Sequence, residues 1–96
     1  MTAYAVFEVN VTDPSWQKDY LDPTAQLVAK HGGRYVALGS PEVIEGNRTP
    51  PSALVIIEFP TKEAAQAWYQ DAEYQPLIKL RQSGSTSDAF IVDGKD

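Results

Sequence analysis

Few side chains in this sequence have both the type and the placement to do chemistry. His31 is the single histidine, and no other side chain ordinarily titrates so near neutrality. It stands in the last turn of an expected helix, beside Gly32-Gly33. One reading makes it an acid or base at the mouth of a cavity between helix and sheet. The other makes it a helix-end residue, favoured there by the macrodipole and by free carbonyls. Glu58 lies near the end of an apolar strand and by strand period points to the same side as Glu8. Two carboxylates on neighbouring strands raise one another's pKa and would make an acid/base pair. The alternative is an interface ion pair with Arg34 or Arg81. Arg34 and Arg81 suit bidentate capture of a carboxylate, or pairing with Glu58, Glu8 or Asp71. Trp68, Tyr69 and Tyr74, with Trp16 and Tyr20, would wall a pocket for a planar or aliphatic carbonyl compound, or would be core alone. The candidates are therefore His31 and Glu58 for catalysis, and Arg34, Trp68, Tyr69, Tyr74 and Arg81 for ligand binding.

Composition removes many other functions. There is no cysteine, hence no disulfide, no thiolate nucleophile and no cysteine-ligated zinc; one histidine leaves no histidine pair for a metal. No metal site and no cofactor are expected, because the chain also lacks a Gly-rich phosphate loop and a nicotinamide fingerprint. The 8 basic against 13 acidic residues give a net charge of −5, the wrong sign for a general nucleic-acid or anionic-membrane binder. No apolar run is long enough to cross a bilayer, and Met1 to Val11 lacks the basic start and long apolar stretch of a signal peptide. A cytoplasmic protein with no nucleic-acid or membrane partner is expected. With 43% apolar and 22% charged residues in 96, one folded domain spanning 1–96 is expected.

The elements that must position the candidates follow from periodicity. Tyr4 to Val11 alternates as a strand. Asp13-Pro14 starts a helix, the carboxylate accepting a free N–H and the proline needing none. Its stripe is Trp16, Tyr20, Leu27 and Val28, and it ends at Lys30, His31 and Gly32-Gly33. Pro23 predicts a kink or break near Tyr20 to Asp22, with Asp22 capping a second segment. Arg34 to Gly39 alternates as a second strand, extended by Glu42 to Glu45 before a turn at Gly46-Asn47-Arg48 and a stiff Thr49-Pro50-Pro51 connection. Ala53 to Phe59 is the most apolar strand. Pro60-Thr61 stops it and caps a helix from Lys62 to Gln70, with Ala65, Trp68 and Tyr69 inward. After a joint at Asp71 to Gln75, a helical piece over about Glu73 to Gln82 carries Tyr74, Leu77, Ile78 and Arg81. Ser83 to Ser87 reads as a flexible loop, and Ala89 to Val92 as the last strand.

This β-α-β-β-α-β order is α+β and ferredoxin-like, a four-stranded antiparallel sheet with helices on one face. With Phe7, Val9, Val11, Val55, Ile57 and Phe59 under the helices, the other face carries Tyr4, Val6, Leu54 and Ile56. A sheet surface so apolar marks an interface, which predicts a homodimer packed sheet against sheet.

His31-Gly32-Gly33-Arg34, Glu45-Gly46, Ile57-Glu58-Phe59-Pro60, Glu63-Ala64-Ala65, Ala67-Trp68-Tyr69, Glu73-Tyr74-Gln75 and Leu80-Arg81 together resemble the bacterial family catalogued as domain of unknown function 1330. The resemblance runs from the first strand to Val92-Asp93-Gly94. It implies the ferredoxin-like fold and pairing as a dimeric α+β barrel, and it implies no substrate. The chain differs from the family's usual pattern at Asn47-Arg48 and Ser52-Ala53. Two function classes follow. One is a cofactor-independent enzyme, isomerase or oxygenase, acting on a small carbonyl or carboxylate compound. The other is a non-catalytic small-molecule-binding or structural dimer module. They separate on whether His31, Arg34, Glu58 and Tyr74 converge on one cavity.

Overall fold

The computed structural model describes residues 1–95. Strands β1 (Ala3–Val11), β2 (Arg34–Gly39), β3 (Ala53–Phe59) and β4 (Ser85–Asp93) form one antiparallel sheet in the order β2-β3-β1-β4. Helices α1 (Gln17–Lys30), α2 (Lys62–Gln70) and α3 (Gln75–Gln82) complete the βαββαβ arrangement, the second helical region being split in two. The fold is α+β and ferredoxin-like.

Strand period decides the faces. Ala3, Ala5, Phe7 and Val9 of β1 are buried with Ile57 and Phe59 of β3, while Tyr4, Val6 and Glu8 between them are half-buried on the opposite side. Trp16, Tyr20, Leu27 and Val28 from the α1 region, and Ala65, Trp68, Tyr74 and Ile78 from the second helical region, close over the first face. Each large apolar side chain so buried stabilises the fold by roughly 1.5–3 kcal/mol.

The helix ends use the residues that the sequence offers. Asp13 Oδ1 accepts from the Ser15 backbone N–H at 3.0 Å, ahead of Pro14, though the element it opens is a short 3-10 turn, Pro14–Trp16, leading into α1. At the other end the Gly32 N–H donates to Ala29 O at 3.0 Å and the Gly33 N–H to Val28 O at 2.8 Å, with Gly32 at φ +78. That is a Schellman closure, which needs a left-handed residue just past the helix. Thr61 Oγ1 accepts from Ala64 N–H at 3.0 Å and caps α2.

Five expectations are corrected. First, α1 runs unbroken through Pro23, and Asp22 caps no second segment. Pro23 and Asp19, whose carbonyl loses its donor, both sit on the exposed face, where solvent can hydrate that carbonyl. Second, Glu42 to Glu45 forms no strand, because β2 ends at Gly39 and the chain then turns out to an Ile44 that is 92% exposed. Third, Ser85 to Ser87 are not loop but the start of β4, paired with Val11, Asn10 and Val9 of β1. A serine-rich run takes strand geometry here because β1 offers free ladder groups as far as Val11. Fourth, β2 does not keep strict alternation: a bulge between Tyr35 and Ala37 puts both Tyr35 and Leu38 on the helix side, opposite Ile57 and Val55. Fifth, Tyr69 does not point inward; it is 38% exposed, while Trp68 beside it is 1% exposed.

Gly33 joins α1 to β2 where no Cβ fits: one built there lies 2.6 Å from Phe59 Cε1 and 2.9 Å from Val28 Cγ1. Gly33→Ala is therefore expected to lose about 1–3 kcal/mol by overpacking, seen as a lower urea midpoint at unchanged slope. An unmoved midpoint would show that the end of α1 is not packed tightly on Phe59.

Candidate functional site

The side chains singled out from sequence are distributed over three places. At the C-terminal end of α1, His31 Nε2 lies 2.8 Å from Asp71 Oδ2, and Lys30 Nζ reaches the same oxygen at 3.0 Å. Asp71 Oδ1 accepts from the Glu73 backbone N–H at 2.9 Å. The Asp71 carboxyl is consequently held well below the usual carboxylate range, first by the bond from His31, then by Glu73 N–H and by Lys30, with burial opposing. This cluster ties α1 to the turn between α2 and α3. His31 lines none of the described cavities.

The second place is the open face of the sheet. Arg34 Nε donates to Glu58 Oε2 at 2.7 Å, and Arg48 donates to Glu8 Oε1 at 3.1 Å. Glu8 stands opposite Leu54, and Glu58 lies four positions further along β3, opposite Tyr4, which separates the two carboxylates by ~13 Å. They form no acid/base pair, because antiparallel register places them at opposite ends of the strand pair. Each is matched by an arginine instead. Between these two pairs the face is apolar: Val6 against Ile56 and Phe90, and Tyr4 against Val92.

The third place is a cavity of about 110 Å³ between α1 and the β2 side of the sheet. Its floor is Phe7, Val9 and Val55, its outer edge Leu21, Tyr35 and Leu38, and its inner end Trp16, Tyr20, Trp68 and Arg81. Trp68 is packed from behind: it stacks on Tyr74 with centroids 4.6 Å apart and meets Phe59 at 5.4 Å and Phe7, edge-on, at 5.8 Å. Tyr74 itself is fully buried and lines no described cavity, so it supports the wall without being part of it. Of the expected ligand-binding set, the structure brings Trp68 and Arg81 together here and leaves Arg34, Tyr69 and Tyr74 out. Tyr69 instead borders a second groove with Phe7, Trp68, Phe90 and Ile91.

Arg81 is the unusual member. It is 3% exposed, yet no carboxylate among the described residues lies within ion-pair distance of it. One of its terminal nitrogens donates to Ser87 Oγ, its Cζ lies 5.4 Å from the Phe7 ring centroid, and its Nε has no partner. Arginine cannot shed its proton to relieve burial, and an uncompensated buried ion costs several kcal/mol. The Trp16 and Trp68 indole N–H groups are also buried without partners. Arg81 is the one charged side chain in the lining of this cavity, which is otherwise mainly apolar. Tyr35, on the outer edge, has its hydroxyl pushed up to about 12 by burial.

Sequence reading missed Tyr35, Leu38 and Ser87. Their signals were hidden by the bulge in β2 and by the serine-rich start of β4. Among the described residues no three histidine, aspartate or glutamate side chains are gathered to hold a metal, and no helix is long and apolar enough to cross a membrane.

Fold and cavity together define a ferredoxin-like α+β protein with a small apolar pocket and a buried cation at its inner end. The chain belongs to the family described as domain of unknown function (DUF1330), whose model matches residues 2–95. No curated protein matches the sequence. Among solved structures it is similar to a protein of unknown function from Rhodopseudomonas palustris, with TM-score 0.80 and 17% identity, covering 99% of this chain and 83% of that one. It is similar to SnoaB, a cofactor-independent oxygenase from Streptomyces nogalater, with TM-score 0.71 and 16% identity over 99% and 94%. It also resembles a dimeric ferredoxin-like protein of unknown function from Jannaschia sp., with TM-score 0.67 and 10% identity over 98% and 100%. Identities this low speak to the fold.

A carboxyl depressed on folding contributes stability that is complete above its unfolded pKa, near 4, and is lost as pH falls toward the folded value. Wild-type stability is expected to fall more steeply below about pH 4 than that of Asp71→Asn, measured by urea denaturation across an acid series. Parallel acid limbs would show that Asp71 ties α1 to the α2–α3 turn no better folded than unfolded.

Proposed function

We propose that the chain is one domain that works as a homodimer and takes a small, mainly apolar compound bearing an acidic or enolisable oxygen, acting on it as a cofactor-independent enzyme of the isomerase or oxygenase kind. The observation that carries this reading is Arg81, a buried cation without a carboxylate at the inner end of an apolar cavity. In such a low-dielectric site a fixed cation stabilises an enolate or phenolate far more than the neutral ketone or phenol. It thereby lowers the cost of releasing the neighbouring proton to solvent water. An enolate that takes a proton back from water at a different carbon is an isomer; one that passes an electron to dissolved dioxygen, the oxidant, leaves a carbon radical and superoxide, which combine into a peroxide anion with a new C–O bond, with no metal or flavin. SnoaB shares the fold and is a cofactor-independent oxygenase, which supports this class of chemistry. Arg81 holds the anion; Trp16 and Trp68 wall that end of the cavity; Phe7, Val9, Val55 and Leu38 receive the apolar body.

One observation favours the alternative, a binding module without turnover. His31 and Glu58 are held by local partners away from the cavity, so neither carries a proton to or from a ligand there. The two readings share the ligand and differ in whether it changes.

Dimerisation is supported by the open sheet face, where Tyr4, Val6, Leu54, Ile56, Phe90 and Val92 form an apolar surface flanked by the Arg34–Glu58 and Arg48–Glu8 pairs. The Jannaschia protein of the same fold is dimeric. Apolar centre and charged rim are the layout of a self-complementary interface.

Three measurements test these readings. Light scattering at micromolar concentration is expected to give twice the chain mass, and Ile56→Glu, which buries a charge at the centre of that surface, is expected to shift the mass toward one chain; a wild-type monomer sinks the dimer. Benzoate, 2-naphthoate and 2-hydroxy-1,4-naphthoquinone are expected to raise the melting temperature by mass action, and Arg81→Gln to weaken them about tenfold or more. Dioxygen uptake, or deuterium exchange next to a carbonyl, abolished in Arg81→Gln, marks the enzyme. Binding with neither marks the module, and no binding by the wild type overturns the site.

A further inference from the structure

The cavity contains a second polar group that the reading above leaves unused. Tyr20 and Tyr74 place their hydroxyl oxygens 2.5 Å apart in the buried core, although they are 54 residues apart in the chain. Tyr20 lines the cavity; Tyr74, fully buried, stands behind it. Either hydroxyl can be the donor when the two are considered alone, but their surroundings differ. Tyr74 is fully buried and lines no described cavity, whereas Tyr20 lines one. Burial holds the Tyr74 hydroxyl protonated, pushing it far above the ordinary tyrosine range. Its proton needs an acceptor, and among the described residues the Tyr20 oxygen is the one within reach. Tyr74 thus donates to Tyr20, and the Tyr20 proton is left for the cavity. The two donors, Tyr74 to Tyr20 and Tyr20 to the cavity, point one way, so that the first bond polarises the second.

We infer that the Tyr20 hydroxyl, oriented by Tyr74, is a ligand-contacting hydrogen-bond donor of the cavity, and that with Arg81 it selects compounds presenting two neighbouring oxygens, such as the enolates of hydroxyquinones and 1,3-dicarbonyls. This rests on the anion-binding reading of Arg81 and adds to it the identity of the second donor. Tyr20 is a binding residue, and Tyr74 is a positioning residue that acts through it. Tyr35, the other tyrosine of the lining, has no such tether among the described residues. A free hydroxyl of this kind loses more rotational freedom on binding than one already held.

The test uses 2-hydroxy-1,4-naphthoquinone, which is an anion at neutral pH and is coloured, with naphthalene as the apolar control. Tyr20→Phe keeps the ring that packs on Trp16 at 5.2 Å and removes the donor. It is expected to weaken the hydroxyquinone about tenfold, to shift the visible band of the bound anion toward its value in an apolar solvent, and to leave naphthalene affinity unchanged. Tyr74→Phe keeps the donor and loses its orientation, so a smaller loss of the same probe is expected, with a band shift in the same direction. Circular dichroism confirms that each variant is folded before titration. If Tyr20→Phe binds the hydroxyquinone as the wild type does while Arg81→Gln weakens it, the donor assignment is overturned and the anion site stands. If Tyr35→Phe produces the loss instead, the assignment to Tyr20 is likewise overturned. If Arg81→Gln has no effect, or the wild type does not bind the probe, the anion site and this inference both fall.

Discussion

Trp68 is where the parts of this protein meet. Its indole stacks on Tyr74, tilts against Phe59 and takes the edge of Phe7, joining α2 to β1, to β3 and to the turn that begins α3. A buried aromatic of this size contributes on the order of 3–5 kcal/mol, a large share of the 5–15 kcal/mol that holds a small domain together. The same contact shapes the candidate site. Trp68 and Phe7 belong to the wall of the cavity under α1 and also to the groove along β4, so the packing that seats the helices on the sheet also separates the two hollows. A change in how α2 lies on the sheet would alter both at once.

Charge is distributed with the same economy of partners. Glu8, Glu58 and Asp71, the carboxylates that the sequence offered as arginine partners, are each engaged, by Arg48, by Arg34 and by His31 with Lys30. These are partly exposed contacts, and exposed pairs contribute little to stability. Their consequence is positional: they pin the β2–β3 connection, the sheet edge and the end of α1. With those acids taken, Arg81 is left in the core with only a serine hydroxyl and an aromatic face. A cation kept in that state is unfavourable to folding unless something pairs with it, and that is the ground on which a ligand is proposed for it.

The features that make up the site come from elements far apart in the chain, and each is positioned for a local reason. Asp13-Pro14 starts the turn that seats Trp16; the Schellman closure at Gly32-Gly33 aims β2; Thr61 sets the start of α2 and hence the direction of Trp68. The bulge in β2 then brings Tyr35 and Leu38 to the same side, closing the outer edge of the cavity. Without that extra residue Leu38 would face the opposite side of the sheet, and the pocket would be a shallow trough.

Strand and helix periods, the capping residues and the βαββαβ order were all legible in the sequence, because hydrophobic alternation and end chemistry are local properties of the chain. So was the two-sided apolar character of β1 and β3, and with it the open face. The candidate residues were legible as types: Trp68 and Arg81 were named, and both line the cavity. Their partners were not. Whether Glu58 meets Glu8 or Arg34 depends on antiparallel register, and whether Arg81 meets an acid or a serine depends on where β4 begins. Ser85 to Ser87 read as loop because serine has no strand preference of its own, and became strand because β1 supplied ladder partners out to Val11. Pro23 read as a break because a proline removes one backbone bond, and was tolerated because the carbonyl it frees lies on the solvent side of α1. Sequence by itself determined which residues are apolar, polar or able to bend the chain. Tertiary structure alone decided which polar groups find one another, because that depends on contacts between residues tens of positions apart, and those contacts left Arg81 as the one buried charge among the described residues without an opposite.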